Sequence, residues 1–181
     1  MSLKQRFENE IVPELMKELG ILNPLAVPRP KKVVVNIGLG GGKNDEKLLS
    51  EAQLELAEIT GQKPNVRRAR KSEAGWGMRT GDPIGLAVTL RGERMWAFLE
   101  RLIRVTLPRV RDFRGIGKDS LDGRGNLSIG FEEHTVFPEI DPNEVGRLKG
   151  LEVSVVTSAE SDEDGYKLLR ALGMPFREEK S

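Results

Sequence analysis

Cysteine is absent from the 181 residues, and histidine occurs once, at position 134. Without a thiol there is no disulfide framework, thiolate nucleophile, thiolate zinc site or iron–sulfur cluster, and a single imidazole does not build a multi-histidine metal site. Long apolar runs are missing as well. The longest uncharged stretches, residues 19–28 and 33–42, are ten residues each and fall far short of the roughly 18 apolar residues that a membrane helix requires, so no membrane partner is expected. The opening MSLKQRFENE has no apolar core and carries acids, unlike a signal or transit peptide, and a cytoplasmic location is the expectation. Net charge is also nearly absent, with 29 Lys plus Arg against 28 Asp plus Glu. What remains, 38% hydrophobic and 31% charged, is the composition of a soluble globular chain, with one domain expected over 1–181.

The near-zero total conceals an uneven distribution. Residues 1–62 hold 8 basic and 9 acidic side chains, 63–114 hold 13 and 5, and 115–181 hold 8 and 14. The positive excess therefore lies in the middle, densest over Lys63, Arg67, Arg68, Arg70 and Lys71, with Arg101, Arg104, Arg109, Arg111 and Arg114 after a gap. Arginine outnumbers lysine there by 11 to 2. A guanidinium presents a planar fork of donors that meets phosphate oxygens in pairs and stacks on bases, whereas an ammonium acts as a point charge. The bias points to a phosphate-bearing partner, against the plainer reading of a solvated helix face and loop.

Hydrophobic spacing predicts an α+β chain. Leu3, Phe7, Ile11, Leu15 and Leu19 form a helical stripe closed by Gly20. A strand is expected over 31–38, a helix over 45–60 capped by Asn44, strands over 65–70 and 84–91, and a glycine-rich, mobile loop over 71–83. Met95, Phe98, Leu99, Leu102, Ile103 and Thr106 mark a helix ended by Pro108, and 111–126 reads as an ordered but irregular loop. Strands over 127–131 and 151–157 follow, then a helix from the 161–164 cap to Gly173. Alternation places Val33, Val35 and Ile37 on one strand face and Asn36 on the other; Thr89 and Arg91 oppose Leu86, Val88 and Leu90 in the same way. Two layers result: a mostly antiparallel sheet with helices on its apolar face, its small, polar face open to water or a partner.

Catalytic motifs do not survive inspection. In the Gly38–Asn44 turn, Ile37 stands where a Walker loop needs its first glycine, and Asn44 stands where it needs Ser or Thr. A dinucleotide fingerprint counted from Gly38 puts Lys43 where its third glycine belongs. His134 has Glu132 and Glu133 beside it but no nucleophile and orienting group in evident register. No catalytic residue, metal, cofactor or small-molecule substrate is expected. Trp76, in the basic loop, suits either stacking on a base or anchoring the loop in a core.

Six stretches carry a resemblance: residues 56–72 (LAEITGQKPNVRRARKS), 83–95 (PIGLAVTLRGERM), 107–115 (LPRVRDFRG), 122–126 (DGRGN), 136–140 (VFPEI) and 173–177 (GMPFR). Together the chain resembles the 5S-rRNA-binding protein family of the bacterial large ribosomal subunit, protein five of that subunit. The resemblance implies a curved antiparallel sheet with helices on one side, placed in the central protuberance. It implies 5S rRNA contact by Asn36, Gln62 and Thr89, with Lys63 and Arg91 beside them; Arg67 and Arg68, from the basic cluster, are expected among the rRNA phosphate contacts. It implies that the 71–83 loop, with Lys71, Ser72, Trp76 and Arg79, reaches P-site tRNA. The region of Arg109, Arg111 and Arg114 is then the intersubunit side, next to small-subunit protein thirteen, with 23S rRNA and other ribosomal proteins as neighbours. The chain departs from the family's usual residues at Glu73, Trp76, Gly77 and Leu127. The residues alone leave two other readings open, a free-standing RNA-binding or RNA-chaperone module and a small nucleotide-dependent enzyme.

Overall fold

The structure, a computed structural model, describes residues 1–40 and 45–177. Five strands form one open antiparallel sheet: β1 (Pro30–Gly38), β2 (Asn65–Arg68), β3 (Pro83–Leu90), β4 (Leu127–Phe131) and β5 (Leu151–Thr157), in the order β2-β3-β1-β5-β4. Among the described residues no helix is long and apolar enough to cross a membrane. The chain divides into two compact units, one comprising Met1–Val33, Leu90–Ile129 and Ser154–Ser181, the other Val34–Thr89 and Gly130–Val153.

In the first unit, α1 spans 3–19 and buries Leu3, Phe7, Ile11 and Leu15, as the stripe requires. Its C-cap, Gly20, takes φ +66°, a left-handed conformation that glycine adopts without Cβ strain. The helix widens into a π turn at Phe7–Ile11 just before Pro13. The helix over 92–109 repeats the device, with a π turn at Leu102–Thr106 before Pro108. Pro108 therefore does not end that helix, contrary to the sequence expectation. A proline ring clashes with the carbonyl four residues back, and a wide turn placed there relieves the clash, so the helix continues to Arg109.

The last helix of this unit, Asp162–Leu172, begins and ends where expected, with Ser161 accepting from the Asp164 amide and Gly173 at φ +100°. Its first carboxylate, Asp162, accepts from the amides of Gly123 (3.0 Å) and Gly125 (2.8 Å), clamping the 122–126 turn to the helix. The two pack so closely that a Cβ on Gly165 would lie 2.4 Å from the Gly125 Cα. Residues 111–126 are irregular and ordered by these bonds, as read from the sequence.

In the second unit, the helix Glu46–Thr60 buries Leu48, Ala52, Leu56 and Ile59. Its N-cap is Asp45, whose carboxylate accepts from the Leu48 amide (3.0 Å), and not Asn44, which lies outside the described residues with the rest of 41–44. In β1 the alternation is as expected, with Val35 and Ile37 buried and Asn36 half-buried; β3 departs from it, since Gly85 and Ala87 are buried along with Leu86 and Val88, and of its polar set only Thr89 is half-buried. The expected strand over 65–70 stops at Arg68, because the pairing with β3 slips between Arg67 and Arg68.

The segment after β4 is fastened to the Glu46–Thr60 helix by a buried cluster. Lys149, only 5% exposed, donates from Nζ to both carboxylate oxygens of Glu55 (2.7 and 3.0 Å) and to the Arg147 carbonyl (3.2 Å). Its backbone amide donates to Nδ1 of the fully buried His134, whose Nε2 lies 3.3 Å from Glu55. Burial holds the His134 pKa below the ordinary imidazole value, against the pull of Glu55, so the ring is neutral at pH 7. The lone histidine packs the segment after β4 against Glu55 and the Lys149 backbone.

Candidate nucleic-acid interface

The turn leading into β2 sets the first candidate residues. The Glu46–Thr60 helix closes at Gly61, with φ +66° and its amide bonded to the Ala57 carbonyl (2.8 Å). The buried Thr60 hydroxyl lies within bonding distance of the carbonyls of Leu56 (2.6 Å) and Gln62 (3.1 Å). Gln62 then donates from Nε2 to the main-chain carbonyl of Thr89 (3.2 Å), tying the turn to the end of β3. Its side chain is thus partly engaged in fixing the edge of the sheet, a role not evident from sequence spacing. Lys63 follows, exposed, and Pro64 is buried.

Register decides which face the β2 side chains occupy. Val66 pairs with Leu86, whereas Asn65 and Arg67 pair with Ala87 and Gly85, two small buried residues on the same strand face as the half-buried Thr89. Asn65, Arg67 and Thr89 therefore share the open face, and β1 contributes Asn36 to it by the same alternation. Gly85 is required at its position, because a Cβ there would lie 2.7 Å from the Ile37 carbonyl. Past the slip, Arg68 donates from Nη1 to the Gly81 carbonyl (3.0 Å).

The basic loop is an organised hairpin tip. Glu73 and Met78 exchange both backbone bonds (2.9 and 3.0 Å), and Gly77 turns the chain at φ +57°. Ser72 accepts from the Thr80 amide (3.0 Å) and its hydroxyl lies 3.1 Å from that of Thr80. Ser72 is thus spent on holding the tip, while Lys71 and Arg79 are exposed on it. Trp76 sits in a short 3-10 turn, and its side chain lies outside the described atoms.

Among the described residues, Lys63, Arg67, Arg70, Lys71 and Arg79 are exposed with no acidic side chain in ion-pair range. Cations left uncompensated beside the exposed Asn65 amide and the half-buried Asn36, Gln62 and Thr89 make a surface suited to phosphate and base edges.

The remaining candidates belong to the first unit. Arg91 is exposed and forms the N-cap of the 92–109 helix in extended conformation, without a side-chain cap bond. Arg109, Arg111 and Arg114 are exposed around Asp112, the one described non-glycine residue with positive φ (+53°). That loop is anchored by the C-terminal segment: the Ile116 amide donates to Pro175 (2.8 Å) and the Arg177 amide to Ile116 (2.9 Å). Sequence reasoning missed this anchor and the Glu55–Lys149 pair; the latter joins residues 94 positions apart and leaves no local signal. It also passed over Glu152, which the alternation of 151–157 places on the open face.

An open antiparallel sheet with one face packed, and with exposed, unpaired cations of the described chain beside the other, has the geometry of the class of proteins that work by surface recognition. Comparison with known proteins gives the class a family. Residues 23–79 match the family model described as Ribosomal protein L5, and 83–176 match the model of that ribosomal family's C-terminus. The large ribosomal subunit protein uL5 of Rubrobacter xylanophilus is 55% identical over 175 residues, 97% of each chain. Those of a Roseiflexus species and of Halothermothrix orenii are 54% and 53% identical over 176 residues, 97% of this chain and 98% of theirs. The chain belongs to the ribosomal protein L5 family, a structural component of the ribosome and not an enzyme.

Proposed function

We propose that this protein binds 5S rRNA in the cytoplasmic large ribosomal subunit through the open sheet face of its second unit. Asn36, Gln62 and Thr89 contact sugar or base edges, while Lys63, Arg67 and Arg68 neutralise phosphates and fix register. The hairpin tip with Lys71, Ser72, Trp76 and Arg79 reaches P-site tRNA. The loop of Arg109, Arg111 and Arg114 faces the small subunit, next to its protein thirteen, with 23S rRNA as neighbour, and Arg91, also in the first unit, is a further rRNA contact. The observation that carries the reading is the shared face of Asn65, Arg67 and Thr89, with exposed cations that no acid of the described chain neutralises.

The test is binding of purified protein to 5S rRNA, a tRNA and an unrelated hairpin across a salt series. Selective binding to 5S rRNA is expected, with log affinity falling linearly in log salt. Equal, weak and steeply salt-dependent binding to all three RNAs would reduce the face to a generic basic surface.

A further inference from the structure

On the open face beside Asn36 lies a shallow, wide-mouthed depression of about 340 Å³ lined by Asn36, Gly38, Gly150, Leu151 and Glu152. We propose that this depression is a slot for one unpaired guanine of the bound RNA, an inference that rests on reading this face as the 5S rRNA surface. Two glycines form its walls. A Cβ at Gly38 would meet nothing within 4 Å and so would project into open space, while one at Gly150 would only touch the Phe131 carbonyl at 3.6 Å. Neither position has a φ in the left-handed range, so backbone conformation does not account for glycine there. What their bare backbones leave is room for a flat ring.

The polar groups at the slot select the ring. The Glu152 carboxylate is exposed and, among the described residues, has no hydrogen-bond or ion-pair partner. A free carboxylate on a phosphate-binding face repels the RNA backbone unless it meets base donors. An ionised carboxylate only accepts, and guanine is the base whose Watson–Crick edge offers two adjacent donors, N1–H and the N2 amine. Adenine and cytosine each set one donor beside an acceptor, and uracil sets its single donor between two acceptors. The Asn36 amide supplies a donor for the guanine O6. A second hollow, of about 170 Å³, shares Gly38 and Gly150 and adds Arg147, an exposed cation for the phosphate of the same nucleotide. The wall is fixed in advance, because Lys149, next to Gly150, is locked to Glu55 and His134.

The experiment uses the full chain and 5S rRNA, with Gly38→Val and Glu152→Gln variants and RNAs in which each unpaired guanine in turn is replaced by inosine, which lacks the N2 amine. Gly38→Val puts a branched side chain into the depression from a Cβ position with no neighbour within 4 Å, and is expected to lower affinity by about tenfold to a hundredfold with an unchanged melting temperature. Glu152→Gln is expected to lower it about tenfold, and inosine at one position is expected to cost the wild type a similar factor but the Glu152→Gln protein nothing further. If the wild type prefers 5S rRNA and both variants bind it equally well, the slot is overturned and the face stands. If the wild type shows no preference for 5S rRNA, the face itself is overturned and the slot with it.

Discussion

Replacing Glu55 by alanine is expected to destabilise the second unit by about 3 kcal/mol. The Lys149 side chain is 4% exposed and Glu55 15%, so the pair is desolvated on one side and only slightly wet on the other. Removing the carboxylate strands an ammonium whose remaining acceptor is the Arg147 carbonyl at 3.2 Å, and an unpaired buried charge is what makes breaking such pairs costly. Lys149→Met leaves the more accessible partner behind, and an expected loss of about 1–2 kcal/mol follows, since that carboxylate regains some water. The double variant Glu55→Met, Lys149→Met removes both charges while keeping volume and is expected to lie within about 1 kcal/mol of the parent. Urea unfolding followed by circular dichroism reads the series. With a slope of about 2 kcal/mol per molar urea, the Glu55→Ala midpoint falls by about 1.5 M. A loss under about 1 kcal/mol for Glu55→Ala, or a double variant as unstable as the sum of the singles, would refute the picture of a sealed pair holding the 132–150 segment in place.

Acid is expected to weaken the fold through His134. Its pKa is lowered by burial, so the unfolded chain binds the extra proton first; the stabilising effect is complete above about pH 6.5 and is lost as pH falls from there through the folded-state value. His134→Gln should flatten that part of the stability profile, measured by denaturant midpoints between pH 7.5 and 5. Gly165→Ala is expected to cost about 2 kcal/mol or more, because its methyl would meet the Gly125 backbone, and the melting temperature checks it. Arg67→Glu combined with Arg68→Glu is expected to weaken 5S rRNA binding and to reduce the salt slope by about 1 to 2; an unchanged slope removes these residues from the phosphate contacts. Asn36→Ala or Thr89→Ala should weaken binding with the slope intact, and a drop in melting temperature instead would make them fold residues.

Elements were legible in the sequence where one local rule sufficed. The alternation of 127–131 and 151–157 gave those strands to the residue, and Ser161 with Gly173 bounded the last helix. Expectations failed where two local rules competed or where the decisive partner was distant. Asn44 and Asp45 are both good caps, and the distance from Asp45 to the Leu48 amide settles it. Pro108 is a helix breaker by rule, and the π turn that accommodates it has no sequence signature. The early end of β2 comes from a register slip against β3, which only pairing reveals.

The candidate face shows the same division. Asn36 and Thr89 follow from alternation, and the unpaired arginines follow from charge counting. Gln62's bond to the Thr89 carbonyl and the Asp162 clamp on Gly123 and Gly125 join distant segments and were not readable in advance.

Hydroxyl-radical footprinting of the protein, free and bound to 5S rRNA, tests most directly which surface meets the RNA. Protection is expected at Val34, Asn36, Lys63, Arg67 and Arg68, with no change at Leu54 and Val145, which line an acidic groove with Glu51, Glu58 and Glu144. Protection of Leu54 and Val145 with the arginine-rimmed face unchanged would contradict the proposed interface.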